Sequence, residues 1–354
     1  MAPNPLHDTT RAAGAVWGEL EGHHVPLRFT DPQAEALAAR RGAGLRHASH
    51  LGRILASGPD HLDFLHRMTT NHLLSVPPGA GAESVFVDSR GRILDLGAFY
   101  RTGGQTLIVL SPGAAGPIAA WLDRFVFAED LALRDVTEQT AMVELAGPQA
   151  GRLAHQALGI DLAAAAPHQV LDAGEERWLL RCDHIGAPGL RACGRPEAMA
   201  ALWTALASAG ASPIGEEAWE ILRVEEGTPA RGRELTEEHN PWEAGLERAV
   251  HLAKGCYIGQ EVVARLEAYD KVKQRLAGLV LDAGALPSPG SRLSAGGKEA
   301  GIVTSAVLSP ALGRAIALAY VRRAFCAPGT RLTWEDRGEA RQAVVAPLPF
   351  TPPP

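Results

Sequence analysis

Ser84-Val85-Phe86-Val87-Asp88-Ser89-Arg90-Gly91 begins the run that decides the fold. An apolar stretch meets a polar turn ending in glycine, and Ile93 to Tyr100 then repeats the strand signature. Thr102-Gly103-Gly104-Gln105 supplies a second turn, and Thr106-Leu107-Ile108-Val109-Leu110 a third strand. Strands joined by turns this short pair antiparallel, so the fold class is α+β, with helices laid on one face of antiparallel sheets. A doubly wound sheet would need cleaner strand–helix alternation.

Working outward, Ile54-Leu55-Ala56 runs through Ser57-Gly58-Pro59-Asp60 into Leu62, Leu65 and Met68, and Met142-Val143-Glu144-Leu145 runs through Ala146-Gly147-Pro148 into Leu153 and Leu158. Trp178-Leu179-Leu180 and Gly189 to Cys193 precede Gly194-Arg195-Pro196 with Met199, Leu202 and Leu206 behind. Each unit reads as strand, turn and proline-started helix, since proline costs nothing where first-turn amides lack partners. Asp31-Pro32 starts a further helix over 31 to 41, and Ala218, Ile221, Leu222 and Glu225 keep helical spacing over 214 to 226, with Gly227 at the stop and Pro229 beyond. After a polar loop, Thr228 to Asn240, short strands cut by turns at Pro287-Ser288-Pro289-Gly290, Gly296-Gly297 and Asp336-Arg337-Gly338 predict a small barrel of five or six strands between 276 and 346. The expected domains are 1–275, two interleaved α+β parts, and 276–354, the barrel, with a frayed end at Pro352-Pro353-Pro354.

The 354 residues suffice for a sizeable core, and 46% apolar with 21% charged residues describes a globular chain. A net charge of -6 argues against a nucleic-acid surface. No apolar run approaches a membrane span and the amino-terminal stretch lacks the pattern of a secretion signal, so the expected location is cytoplasmic, with no membrane partner. Cys182, Cys193, Cys256 and Cys326 form no metal-ligand spacing. His47 and His50 could share a helix face and hold a metal, but no third ligand is near in sequence, which favours ordinary polar roles.

One stretch carries chemistry: Lys254-Gly255-Cys256-Tyr257-Ile258-Gly259-Gln260-Glu261, running into Val262-Val263-Ala264-Arg265. It puts a thiol just ahead of a helix start with an ammonium two residues away, both of which favour thiolate; Glu261 opposes it. A free thiol of pKa about 8.5 is a few per cent thiolate at pH 7, and lowering it by about one unit makes roughly a quarter thiolate. The competing reading is a small packed apolar residue.

That stretch resembles the hallmark of the YgfZ family, folate-binding proteins supporting iron-sulfur cluster assembly or repair and related to the glycine cleavage T-protein, a tetrahydrofolate-dependent aminomethyltransferase. The likeness extends through Ser49-His50-Leu51-Gly52-Arg53-Ile54, Thr70-Asn71, Gly91-Arg92-Ile93-Leu94-Asp95 and Pro241-Trp242-Glu243-Ala244-Gly245-Leu246. The resemblance implies a ring of two α+β parts and a barrel around a folate channel, with Cys256 as a reactive thiol close to it. It further implies Asn71, Asp95, Arg223, Glu243, Lys254 and Tyr257 as folate-binding positions, and tetrahydrofolate and iron-sulfur proteins or their assembly machinery as partners. Arg223 matches a folate-contacting arginine, and its alternative is a helix-surface ion pair with Glu220 or Glu226. Asp95 matches the first of two T-protein acids, suited to touching the pteridine or steering a proton, and is otherwise a structural acid on a strand.

The chain also departs from its relatives. Ala187, in Gly186-Ala187-Pro188-Gly189, stands where T-proteins carry a pterin-holding glutamate. Asp95 is followed by Leu96 instead of a second acid, His47 and His72 stand where aspartate is usual, and YgfZ proteins carry a glycine near Asp270. The functional expectation is a folate-binding iron-sulfur maintenance factor; the alternatives are an aminomethyltransferase acting on an aminomethyl-lipoyl carrier and a non-enzymatic folate-dependent scaffold.

Overall fold

The computed structural model describes residues 5–20, 22–174, 177–269, 271–282 and 285–350, so Asp270 and the terminal prolines lie outside the described residues. The three strands of the deciding run are Gly81–Val87, Ile93–Thr102 and Gln105–Pro112. They lie side by side and antiparallel, and Leu51–Ser57 and Ala132–Asp135 complete a five-stranded sheet. Alternation sorts their side chains. Ile54, Ala56, Phe99, Ile108 and Leu110 pack against helices His61–Met68 and Ala115–Asp123, while Leu55, Ala98, Tyr100, Leu107 and Val109 point the other way.

That second face meets a six-stranded sheet, contributing Met142, Leu180 and Cys193 to the shared core. Its order is Val170–Ala173, Arg177–His184, Ala187–Gly194, Ala141–Ala146, Gly44–His47 and Ser212–Ile214, and only the last pair is parallel. Helices Ala150–Leu158 and Pro196–Ser208 cover its far side through Leu153, Met199, Leu202 and Trp203. Two sheets thus face each other with helices outside, and Gly44–His47 interleaves the two parts by entering the second sheet from an early segment. Pro196 is the first helical residue, whereas Pro59 and Pro148 sit in the turn two residues ahead of their helices.

The third layer is a closed barrel of Gln274–Leu281, Arg292–Ala295, Lys298–Ser309, Arg314–Arg322, Arg331–Asp336 and Glu339–Ala346. Helix Glu216–Glu226 joins the layers. Leu222 and Val224 pack in one cluster with Ala36 and Ala39 of helix Pro32–Arg41 and with Ile316 and Leu318 of the barrel. Gly227 ends it in the left-handed conformation at φ 73. Among the described residues no helix is long and apolar enough to cross a membrane.

Candidate functional site

A cavity of about 450 Å³ opens where the two sheets, the hairpin Val16–Leu20/His23–Arg28, helix Glu216–Glu226 and the loop after it converge. Leu96, Ala98 and Val109 of the five-stranded sheet make an apolar wall; Arg46, Trp219 and Arg231 are among the groups across from it. The size and the mixture of apolar surface with a few polar groups suit one small-molecule ligand.

The polar side is built on buried charges. The Arg46 guanidinium grips Glu216 through Nε and Nη2 at 2.8 and 2.7 Å and donates to Glu144 through Nη1 at 2.8 Å. Glu144 also accepts from Arg191 Nε at 2.8 Å and lies 3.4 Å from His184 Nε2. Burial alone would push Glu144 upward, but Arg191, His184 and Arg46 outweigh it and hold the carboxyl well below its usual range. The same opposition leaves Glu216 at about 2. Burial opposes charge on His184 as well, and its Cys182 and Glu144 neighbours push it up to about 10. Arg46 also lies over the Trp219 ring, 4.3 Å from its centroid, so a cation–π contact fixes that ring at the cavity wall.

Asp95 is fully buried on strand Ile93–Thr102, between cavity-lining Leu96 and Ser111. Its Oδ2 accepts from the Ser111 amide at 3.0 Å, and among the described residues its Oδ1 has no partner. Burial raises its pKa to about 6, against the opposing hydrogen bonds from Ser111 and the charge of Arg231. A carboxyl that exchanges its proton near neutral pH with one oxygen unsatisfied is suited to accepting a ligand N–H or moving a proton.

The other expected residues lie elsewhere or are engaged. Arg223 lines the cavity, but it grips Glu220 at 2.6 and 2.7 Å and donates to the Thr228 carbonyl, Glu234 and barrel Ser305 at 3.1, 3.2 and 2.6 Å. Of its two expected roles the structure displays the ion pair with Glu220. Glu243 accepts from the Asn240 amide at 3.2 Å and braces a turn away from the cavity lining. Asn71 donates to the Glu83 carbonyl at 2.7 Å and so ties its loop to strand Gly81–Val87. His47 and His50 occupy a strand and the turn after it, not a shared helix face, and both ring nitrogens of His47 are buried with no partner among the described residues.

The expectation for Cys256 is corrected most. The thiol is exposed, it does not line the cavity, and helix Gln260–Ala268 begins four residues later, beyond the reach of a dipole that fades within one turn. The Lys254 ammonium turns inward, donating to the His66 and Thr69 carbonyls and lying 4.9 Å from the Tyr257 ring centroid. Burial pulls Lys254 down to about 7 and pushes Tyr257 up to about 12. Glycine is required at Gly259, where φ is 79 and a Cβ would stand 2.4 Å from the Asp88 carbonyl oxygen. The stretch that reads as a reactive motif is a clasp on the carboxyl end of helix His61–Met68.

Sequence reasoning missed Arg46, Glu144, Arg191, Glu216, Trp219 and Arg231. A signal existed for two of them: Glu144 and Arg191 interrupt the apolar runs of Met142 to Ala146 and Leu190 to Cys193, and charges inside buried strands need partners.

Known proteins resemble this chain throughout. The GCVT N-terminal domain matches residues 6–254 and the glycine cleavage T-protein C-terminal barrel domain matches residues 274–351. An aminomethyltransferase of Saccharopolyspora erythraea is 35% identical, covering 98% of this chain and 97% of that protein. One from Thermus thermophilus is 33% identical over 99% of each. The crystal structure of glycine cleavage system aminomethyltransferase T from Bartonella henselae superposes with a TM-score of 0.90 at 26% identity, covering 98% of this chain and 97% of that one.

Proposed function

The chain belongs to the glycine cleavage T-protein family, and from that premise we propose that it is a tetrahydrofolate-dependent aminomethyltransferase acting on an aminomethyl-lipoyl carrier protein. Likeness over nearly the whole length to proteins named aminomethyltransferase favours this reading over the iron-sulfur role expected first. The observation that carries it to particular residues is Asp95, a buried carboxyl with an unpartnered oxygen beside a folate-sized cavity.

The residues present fit a folate. The Asp95 oxygen without a partner among the described residues, just behind cavity-lining Leu96 and Ser111, is the acceptor offered to a ring N–H, and the Leu96, Ala98 and Val109 wall suits the flat apolar faces of an aryl ring. The reaction delivers the methylene carbon to the folate, releases ammonia and leaves the carrier with its dithiol reduced. Asp95 orients the accepting amine and takes or returns its proton, a role that a pKa of about 6 matches at neutral pH. The wall excludes water from that exchange. Ammonia release from the loaded carrier in the presence of tetrahydrofolate tests the proposal; a folded protein that binds tetrahydrofolate and releases none defeats it.

A second reading, support of iron-sulfur proteins, draws on the exposed Cys256 thiol and on Ala187, which leaves the hairpin without a pterin-holding glutamate. Rescue of iron-sulfur enzyme activity in cells lacking the protein by wild type but not by Cys256→Ser would favour it.

A further inference from the structure

Arginines crowd the cavity, and their commitments differ. Arg46 and Arg191 are bound to Glu144, Arg46 also to Glu216, Arg223 to Glu220 and Glu234, and Arg233 to Glu220. Arg231 lines the same cavity half-buried, and among the described residues no ion pair or hydrogen bond engages its guanidinium. Its position is imposed from outside the cavity. Arg223 holds the Thr228 carbonyl at 3.1 Å, Glu234 accepts from the Ala230 amide at 2.9 Å, and barrel Ser305 donates to Glu234 at 2.7 Å. The loop is pinned on both sides of Arg231, whose backbone also bridges to Leu235. The buried ion pairs around Arg223 thus fix the loop that presents an uncommitted guanidinium to the cavity.

Behind Leu96 and Ser111 of the opposite wall lies the enclosed Asp95 carboxyl, whose Oδ1 has no partner among the described residues and which is near enough to Arg231 for their charges to interact. Arg231 faces the cavity and Asp95 lies just behind the opposite wall, and a fork of donors with an acceptor set across from it complements a ligand edge carrying a donor beside an acceptor. A reduced pterin has such an edge, its ring N5–H next to its 4-oxo oxygen. The glutamate tail of a folate lies a full benzoyl length away.

We propose that Arg231 orients the folate ring, donating to the ring carbonyl oxygen while Asp95 accepts from the neighbouring ring N–H. The assignment rests on the folate reading above and adds a specificity-determining residue to it. With Ala187 in place of the expected glutamate, ring recognition passes to the five-stranded sheet and the 228–233 loop.

The test is anaerobic titration calorimetry of tetrahydrofolate and of tetrahydropteroate, which lacks the glutamate, with wild type, Arg231→Ala and Arg231→Lys. Arg231→Ala should weaken both compounds by roughly tenfold or more, as for loss of a charged hydrogen bond. Arg231→Lys should recover part of that, and the thermal midpoint without ligand should stay unchanged. Undiminished affinity overturns the inference. So does a loss confined to tetrahydrofolate, which would put Arg231 on the tail carboxylate, or a lowered midpoint without ligand, which would put it in the fold. A wild-type protein that binds neither compound overturns the folate reading and this inference with it.

Discussion

Asp95 and His47 are both fully enclosed, and their environments push their titrations in opposite directions with respect to function. For Asp95 the folded pKa, about 6, lies above the ordinary 3.8, so the folded state holds a proton that the unfolded chain gives up between those values. Its contribution is therefore favourable at low pH and becomes a cost of up to about 3 kcal/mol above pH 6. Asp95→Asn should be as stable as or more stable than wild type at neutral pH by denaturant unfolding, yet slow carrier-dependent ammonia release by about a hundredfold or more. A less stable Asp95→Asn protein with full activity would make the residue a structural acid. His47 is pushed down to about 3 by burial, with His7 and His50 adding to it. The unfolded chain takes up a proton near 6.5 that the folded chain refuses, so stability is full above that pH and falls as pH drops toward 3. Replacing His47 by leucine should flatten that part of the stability–pH profile.

At the level of elements, the clasp and the strand-borne charges decide which substitutions matter. Lys254 satisfies carbonyls at the end of helix His61–Met68, and His66 Nε2 donates back to the Lys254 carbonyl at 3.1 Å. Lys254→Met would leave those carbonyls unmet, with an expected loss of about 2 kcal/mol in denaturant unfolding. Cys256→Ser, on the exposed side of the same loop, should change stability by less than about 0.5 kcal/mol. Equal losses from both would refute the clasp. Glu144 compensates two buried guanidinium groups at once, so Glu144→Gln should cost about 3–5 kcal/mol. The buried pairs need one another more than the fold needs charge.

For the whole molecule, helix Glu216–Glu226 is a shared wall. One face packs on the barrel through Leu222 and Val224, and Arg223 reaches Ser305 at 2.6 Å, while Trp219 and Glu216 face the cavity. Among the described residues the barrel lines none of the cavity, yet it fixes the helix and loop that do. A chain ending at Lys273 would expose Leu222 and Val224 and free the 228–233 loop. It should bind tetrahydrofolate at least tenfold more weakly than the full chain in calorimetry, in step with exposure of the apolar core. Retention of full affinity by that fragment would show that the barrel is dispensable to the site.

How much was legible follows from what each signal measures. Turn residues and two-residue alternation are local, so Asp88 to Gly91, Thr102 to Gln105, the stop at Gly227 and the barrel turns could be read directly, and with them the α+β class and the family likeness. Periodicity tells which side of an element is apolar and is silent about what stands opposite. Whether Lys254 met a thiol or two carbonyls was settled by His66 and Thr69, far back in the chain, and Arg223 was held both by Glu220, three residues along its own helix, and by the distant Ser305. Cys256 had a lysine and a helix start close by in sequence, with Glu261 opposing them, and tertiary packing turned the ammonium inward and left the thiol on the surface. The sequence by itself determined the elements and the kinship. Only the folded chain decided which charges were spent on each other, which, at Arg231, was left facing the cavity, and that Asp95 was enclosed just behind its wall, because pairing depends on distances that chain order does not encode.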